Sequence, residues 1–327
     1  MFISDKIIDK SIELVEEETT LDKIAEIMIE KRSDFIGVIS SKKISNIICS
    51  KSIVRLAYNL NEKLSNLTAA DIHYRPLPLS YRDTLKSIAR KMMRSHTYVG
   101  LLEDGAPITA YSLLRGLVKK TYLELADNVS QKAIVSLHLN QPIKYALLAV
   151  LANDQNVIPV FDSGGKLRKV ITTVDVLYAM IDNDLESSLS ETTYGAEEVD
   201  PWVADSNLTL ASLVRLMVRR GVYGMLLFED GITRLENLRG FVTYEDIVNA
   251  YAKVRRVFVH MKVDPSNLEE VVNTLYEIEG VRGVYISSGD TNLIAVIDLG
   301  VSEENLLSVL KPALDKVTDY TIYSEVD

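Results

Sequence analysis

Four times along the chain, apolar residues recur at about i, i+3 and i+7. Leu21, Ile24 and Met28 follow Thr20; Leu85, Ile88 and Met92 follow Thr84; Ile143, Ala146 and Val150 follow Pro142; Leu210, Leu213 and Met217 follow Thr209. That spacing predicts four amphipathic helices, each with one face to bury. They start about every 60 residues, so the chain reads as a repeat before it reads as anything else.

After each helix comes a pair of short β-rich runs joined by a turn. The pairs are 34–39 with 43–48, 97–102 with 107–109, 156–162 with 167–171, and 222–228 with a closing strand that ends at Val242. Ser163-Gly164-Gly165, Asp104-Gly105 and Glu229-Asp230-Gly231 supply the hairpin turns. Each closing strand enters a second helix, expected over 52–58, 112–120, 174–181 and 244–253. The last two junctions share one grammar. Val170-Ile171-Thr172-Thr173-Val174-Asp175 and Phe241-Val242-Thr243-Tyr244-Glu245-Asp246 both place a Thr at the strand end and an Asp three residues on.

Residues 182–200 are rich in Ser, Glu, Asp, Thr and Gly without apolar period, and are expected to form a mobile connection. Past residue 254 the pattern changes. A strand over 257–263 precedes a helix carrying Leu268, Val271, Val272, Leu275 and Ile278; two strands, a second helix over 302–317 and a final strand follow. This β-α-β-β-α-β order is ferredoxin-like.

The β-α-β-β-α repeat resembles the CBS domain, whose copies pair through their sheets. The Thr-x-x-Asp junctions and the strand Val157-Ile158-Pro159-Val160-Phe161-Asp162 carry the resemblance most specifically. The segment Ile278-Glu279-Gly280-Val281-Arg282-Gly283-Val284-Tyr285 resembles ACT domains and the ligand-binding domain of feast/famine regulators. The expected fold is therefore α/β (α+β): a first CBS pair over 1–120, a second over 121–254, and an ACT-like domain over 255–327.

In the CBS family the junction Asp takes the ribose hydroxyls of an adenine nucleotide and the Thr faces the phosphates. The resemblance thus implies one site at Asp246 with Thr243 and another at Asp175 with Thr172. It implies adenine contacts from Val135, Ile158 and Pro159 for the first, and from Trp202, Val203 and Met225 for the second. A two-oxygen acceptor suits a cis-diol, and a hydroxyl at a helix start suits an anion. The same spacing is also that of a capping box, which needs no ligand.

The first two copies depart from the pattern, with Ser52 and Ser112 in place of the Asp and Cys49 in place of the first Thr, so the first pair is expected to have degenerate sites. Candidate phosphate cations are Arg219, Arg220 and Arg239 in the fourth copy and Lys166, Arg168 and Lys169 in the third. Where tightly binding family members carry a His-Arg or similar pair, this chain has Tyr223-Gly224.

The remaining composition narrows the classes. The 47 % apolar and 25 % charged fractions are those of a globular chain, and the net charge of -10 offers no general pull towards nucleic acid or anionic membrane. Cys49 alone precludes an internal disulfide, and the charged start argues against a signal peptide. His73, His96, His138 and His260 are isolated; no nucleophile elbow, P-loop or G-x-G-x-x-G occurs. No catalytic set is expected. The expectation is a cytoplasmic, dimeric, non-catalytic sensor of AMP, ADP or ATP acting on a protein partner. The alternatives are an interaction scaffold with vestigial sites and a transcription-linked regulator.

Overall fold

A computed structural model of the chain describes residues 7–31, 33–41, 43–72, 75–118, 124–153, 155–196, 198–253, 255–278, 281–286, 292–299 and 304–324. His73, the Lys119-Lys120 end of an expected helix, Glu279-Gly280 and the first six residues lie outside them.

Each repeat is a three-stranded sheet with two helices. The first comprises β1 (Glu13–Glu16), α1 (Leu21–Lys31), β2 (Phe35–Ser40), β3 (Lys43–Cys49) and α2 (Ser50–Leu60). The second comprises β4 (Leu77–Pro78), α3 (Leu85–Ser95), β5 (Val99–Leu101), β6 (Pro107–Thr109) and α4 (Ala110–Leu117). A short helix, α5 (Ala126–Val129), leads into β7 (Leu137–His138), α6 (Lys144–Asn153), β8 (Val157–Phe161), β9 (Leu167–Thr172) and α7 (Thr173–Ile181). The fourth has β10 (Val203–Asp205), α8 (Leu210–Arg220), β11 (Gly224–Phe228), β12 (Leu238–Thr243) and α9 (Tyr244–Lys253). In every repeat the opening strand runs parallel to the second, and the second antiparallel to the third.

The buried faces say which repeats pair. Val157, Phe161, Leu167 and Val170 pack against Leu226, Phe228 and Phe241, joining the sheets of repeats three and four. The helices do the rest: α1 and α2 pack on α6 and α7, while α3 and α4 pack on α8 and α9. The apolar stripes visible in sequence are therefore spent between modules. Ile24 and Met28 share one core with Val150 and Leu177, and Ile88 and Met92 share another with Leu213 and Ile247. Burying such a side chain contributes about 1.5–3 kcal/mol.

The stretch expected to be mobile is an ordered strap. Leu189 is fully buried, Tyr194 nearly so, and Ala196 exchanges backbone bonds of 2.9 and 3.0 Å with Val170 at the edge of β9. Two apolar anchors hold a segment whose polar average concealed them.

The C-terminal part has its own core. β13 (Arg255–Val263), α10 (Leu268–Glu277), β14 (Val281–Ile286), β15 (Leu293–Leu299), α11 (Glu304–Leu314) and β16 (Val317–Ser324) form a sheet of order β14-β15-β13-β16. The order and its antiparallel pairings are ferredoxin-like. Val259, Met261, Ala295 and Ile297 face α10 and α11, and alternation sends Phe258, His260, Ile294 and Val296 to the other face.

Candidate ligand site at the strand-to-helix junctions

Thr243 and Thr172 are buried at the ends of β12 and β9, and each starts a helix. Asp246 Oδ2 accepts from the Thr243 backbone N–H and from Thr243 Oγ1, both at 2.8 Å. Asp175 Oδ2 does the same with Thr172, both at 2.7 Å. Both aspartates thus close capping boxes, with one oxygen turned onto their own backbone.

The other oxygen of each meets the linker of the partner repeat. The segment before repeat three crosses β12, where Gln131 and Phe241 exchange backbone bonds of 2.8 and 3.1 Å. Its Gln131 Nε2 donates to Asp246 Oδ1 at 3.1 Å and Oδ2 at 3.2 Å. The strap before repeat four crosses β9, and the Gly195 N–H donates to Asp175 Oδ1 at 3.1 Å. In repeat two, where Ser112 stands at the Asp position, the crossing linker brings the carboxylate instead: Asp9 Oδ2 accepts from Thr109 Oγ1 at 2.7 Å.

The crossing at β12 requires Gly240. A Cβ there would stand 2.5 Å from Ser130 Oγ and 3.0 Å from the Gln131 carbonyl oxygen. Gly240→Ala is expected to lower stability by about 1–2 kcal/mol and to speed hydrogen exchange at the Gln131 amide. Unchanged exchange at that amide would show that the crossing does not depend on the missing side chain.

A third carboxylate joins the first repeat to the fourth. Asp34 precedes β2; its Oδ1 accepts from Ser50 Oγ and its Oδ2 from Tyr244 Oη at 3.0 Å. Desolvation pushes the Asp34 carboxyl up despite those two bonds, and raises Asp246 despite Thr243 and Gln131. Burial, then the Asp34 charge, pushes up Tyr223 and Tyr244. Burial and Asp34 also raise the Cys49 thiol. Tyr223 packs edge-on to Trp202 at 5.5 Å and to Tyr244 at 6.4 Å.

The nominated adenine contacts do not all meet. Ile158 lies in the core between repeats one and three, and Met225 in that between repeats two and four. Pro159 is buried within β8; Val135 is tied through its N–H and carbonyl to the Gln155 side chain at 2.8 and 2.9 Å. Val203 is partly buried beside Trp202, near Tyr223. Arg239 is paired with Glu229 on the surface. Sequence reasoning missed Gln131, Gly195, Asp9, Asp34 and Tyr244.

Elsewhere, a groove of about 450 Å³ opens in the first module, lined by Glu17, Ser45, Asn46, Ile72 and Arg75 among others. Among the described residues no group of three His, Cys, Asp or Glu side chains could hold a metal ion, and no helix is long and apolar enough to cross a membrane.

No family model matches the chain, and no curated protein does. Solved structures do. Protein MJ1225 from Methanocaldococcus jannaschii, a proposed archaeal homologue of g-AMPK, superposes with a TM-score of 0.63 at 17 % identity, over 77 % of this chain and 100 % of its own. An uncharacterized conserved protein from Pyrococcus horikoshii matches with a TM-score of 0.47 at 19 % identity, over 67 % of this chain and 91 % of its own. The CBS domain pair of MJ0100, in complex with 5′-methylthioadenosine and S-adenosyl-L-methionine, matches with a TM-score of 0.33 at 24 % identity, over 38 % of this chain and 93 % of its own. The likeness to MJ1225 is one of fold.

Proposed function

We propose that this chain is a non-catalytic regulatory protein that senses an adenine nucleotide or nucleoside through its second CBS pair. The observation that carries the reading is the paired geometry of Asp175 and Asp246. Each stands at the same place in its repeat and is crossed by the linker of the other repeat. A ligand diol on either carboxylate would touch both repeats and shift their packing, which is what a sensor requires. At Asp246 the neutral Gln131 amide occupies the acceptor that a diol would take.

The C-terminal domain would be ACT-like, and would dimerise or take a second metabolite. The sheet face with half-buried Phe258, Ile294 and Val296, beside exposed Tyr285 and Tyr323, supports such a contact. Helix α9 ends where β13 begins, a direct route for coupling to a regulated partner. The acidic, single-cysteine composition supports a cytoplasmic location without nucleic acid.

A scaffold with vestigial sites is the second reading, favoured by the two capping boxes. Calorimetry of the full chain with AMP, ADP, ATP, adenosine and S-adenosylmethionine separates the two. The sensor reading expects heat with at least one ligand, lost in Asp246→Ala or Asp175→Ala and strengthened several-fold in Gln131→Ala, which removes the internal competitor. The scaffold expects no heat, and from the Asp variants only about 1 kcal/mol of destabilisation.

A further inference from the structure

A phosphate group needs a cation or free N–H groups, and four of the second pair's nominated cations are committed elsewhere. Arg168 Nε donates to Asp162 Oδ2 at 2.7 Å, and Arg239 is held by Glu229. Lys169 Nζ donates to the carbonyl oxygens of Leu189 at 3.0 Å and Thr192 at 2.7 Å. Arg220 serves the carbonyls of Asp200 and Val203, both at 2.8 Å. Lys166 is exposed, six residues up β9 from Thr172, about 20 Å at strand rise. The helix starts offer little more: the Thr172 and Thr243 N–H groups already donate to their own aspartates.

What stands beside the junctions is negative. Asp34 is bonded to Tyr244, the first residue of α9, and its charge is felt at Tyr223 next to Thr172 and Asp175. The charge of the Lys51 ammonium acts on the carboxylates of both Asp34 and Asp246.

Resting on the sensor reading above, we propose that the second pair takes a purine nucleoside whose 5′ end is uncharged or cationic, and discriminates against 5′-phosphates. A carboxylate still serves the diol, while Asp34 repels a phosphate and the engaged Thr172 and Thr243 N–H groups are not offered to one. The position that precedes the second strand sets this choice, with Asp34 in repeat one and Tyr223 in repeat four.

The test is calorimetry of the full chain at one fixed salt concentration, with adenosine, S-adenosylmethionine, AMP and ATP as probes. Adenosine or S-adenosylmethionine is expected to bind at least about tenfold more tightly than AMP or ATP. Asp34→Asn, which keeps an oxygen acceptor for Tyr244, is expected to narrow that gap. AMP binding as tightly as adenosine would overturn the discrimination and leave the nucleoside site standing. Binding of none of the four would overturn both. A gap unchanged in a folded Asp34→Asn protein would overturn the role given to Asp34.

Discussion

Asp34→Ala is expected to destabilise the protein by about 3 kcal/mol, more than any other single change at the junctions. The carboxylate serves two donors that are themselves buried, Ser50 Oγ from the first repeat and Tyr244 Oη from the fourth. Alanine leaves both hydroxyls without an acceptor, at roughly 1–3 kcal/mol each, less the gain from no longer desolvating the carboxylate. Tyr244→Phe removes one donor only and should cost about 1 kcal/mol, because Asp34 keeps Ser50 and the ring keeps Phe35 at 5.9 Å. Urea unfolding of both single variants and the double variant gives the coupling across the two repeats. A cycle that closes to additivity would show that this contact does not join the modules.

The four helices were legible because each spends a contiguous apolar stripe on a partner helix, a burden that leaves its period in the sequence. The strands were legible as strands but not as faces. All five residues of β8 are buried, since one side meets the opposite sheet and the other the helices. Alternation is then absent, and nothing in Val157-Ile158-Pro159-Val160-Phe161 tells which residues look into the cleft. Hence Ile158 and Met225, nominated for a ligand, pack with the helices instead. The strap at 182–196 was misread for a related reason: Leu189 and Tyr194 are too sparse to make a period, yet each buries a full side chain.

The Thr-x-x-Asp junctions could be read because their contacts span three residues. Their partners could not. Gln131 lies 115 residues from Asp246, Asp9 lies 100 from Thr109, and Asp34 lies 210 from Tyr244. No local pattern encodes such meetings. One weak signal existed: Asp34, Tyr98, Asn156 and Tyr223 hold the same place before the second strand of each repeat, and all are polar. Three carry cross-repeat polar contacts or charges, Tyr98 through a 2.9 Å bond to Asn249. A polar residue at the mouth of a fully apolar strand is the trace that a meeting point leaves in a repeat.

Stability is expected to rise, not fall, as the pH drops through the window just above 3.8. Asp34 and Asp246 have folded-state values raised above the ordinary 3.8, in both cases mainly by desolvation. Between 3.8 and those raised values the folded chain binds more protons than the unfolded one, so stability increases as pH falls through that window. Above it, both carry their full desolvation penalty at any pH. The opposite group titrates lower: Asp162, held down by the Lys166 N–H and by Arg168, and Asp104, held down by Tyr81, contribute stability above 3.8 that is lost as pH falls through their depressed values. The two windows do not overlap, so the urea midpoint should pass through a maximum on the acid side of neutrality. Asp34→Asn combined with Asp246→Asn abolishes both raised titrations and should flatten the rise. A wild-type midpoint that declines steadily all the way down to pH 3.8 would show that neither carboxylate is desolvated in the folded protein.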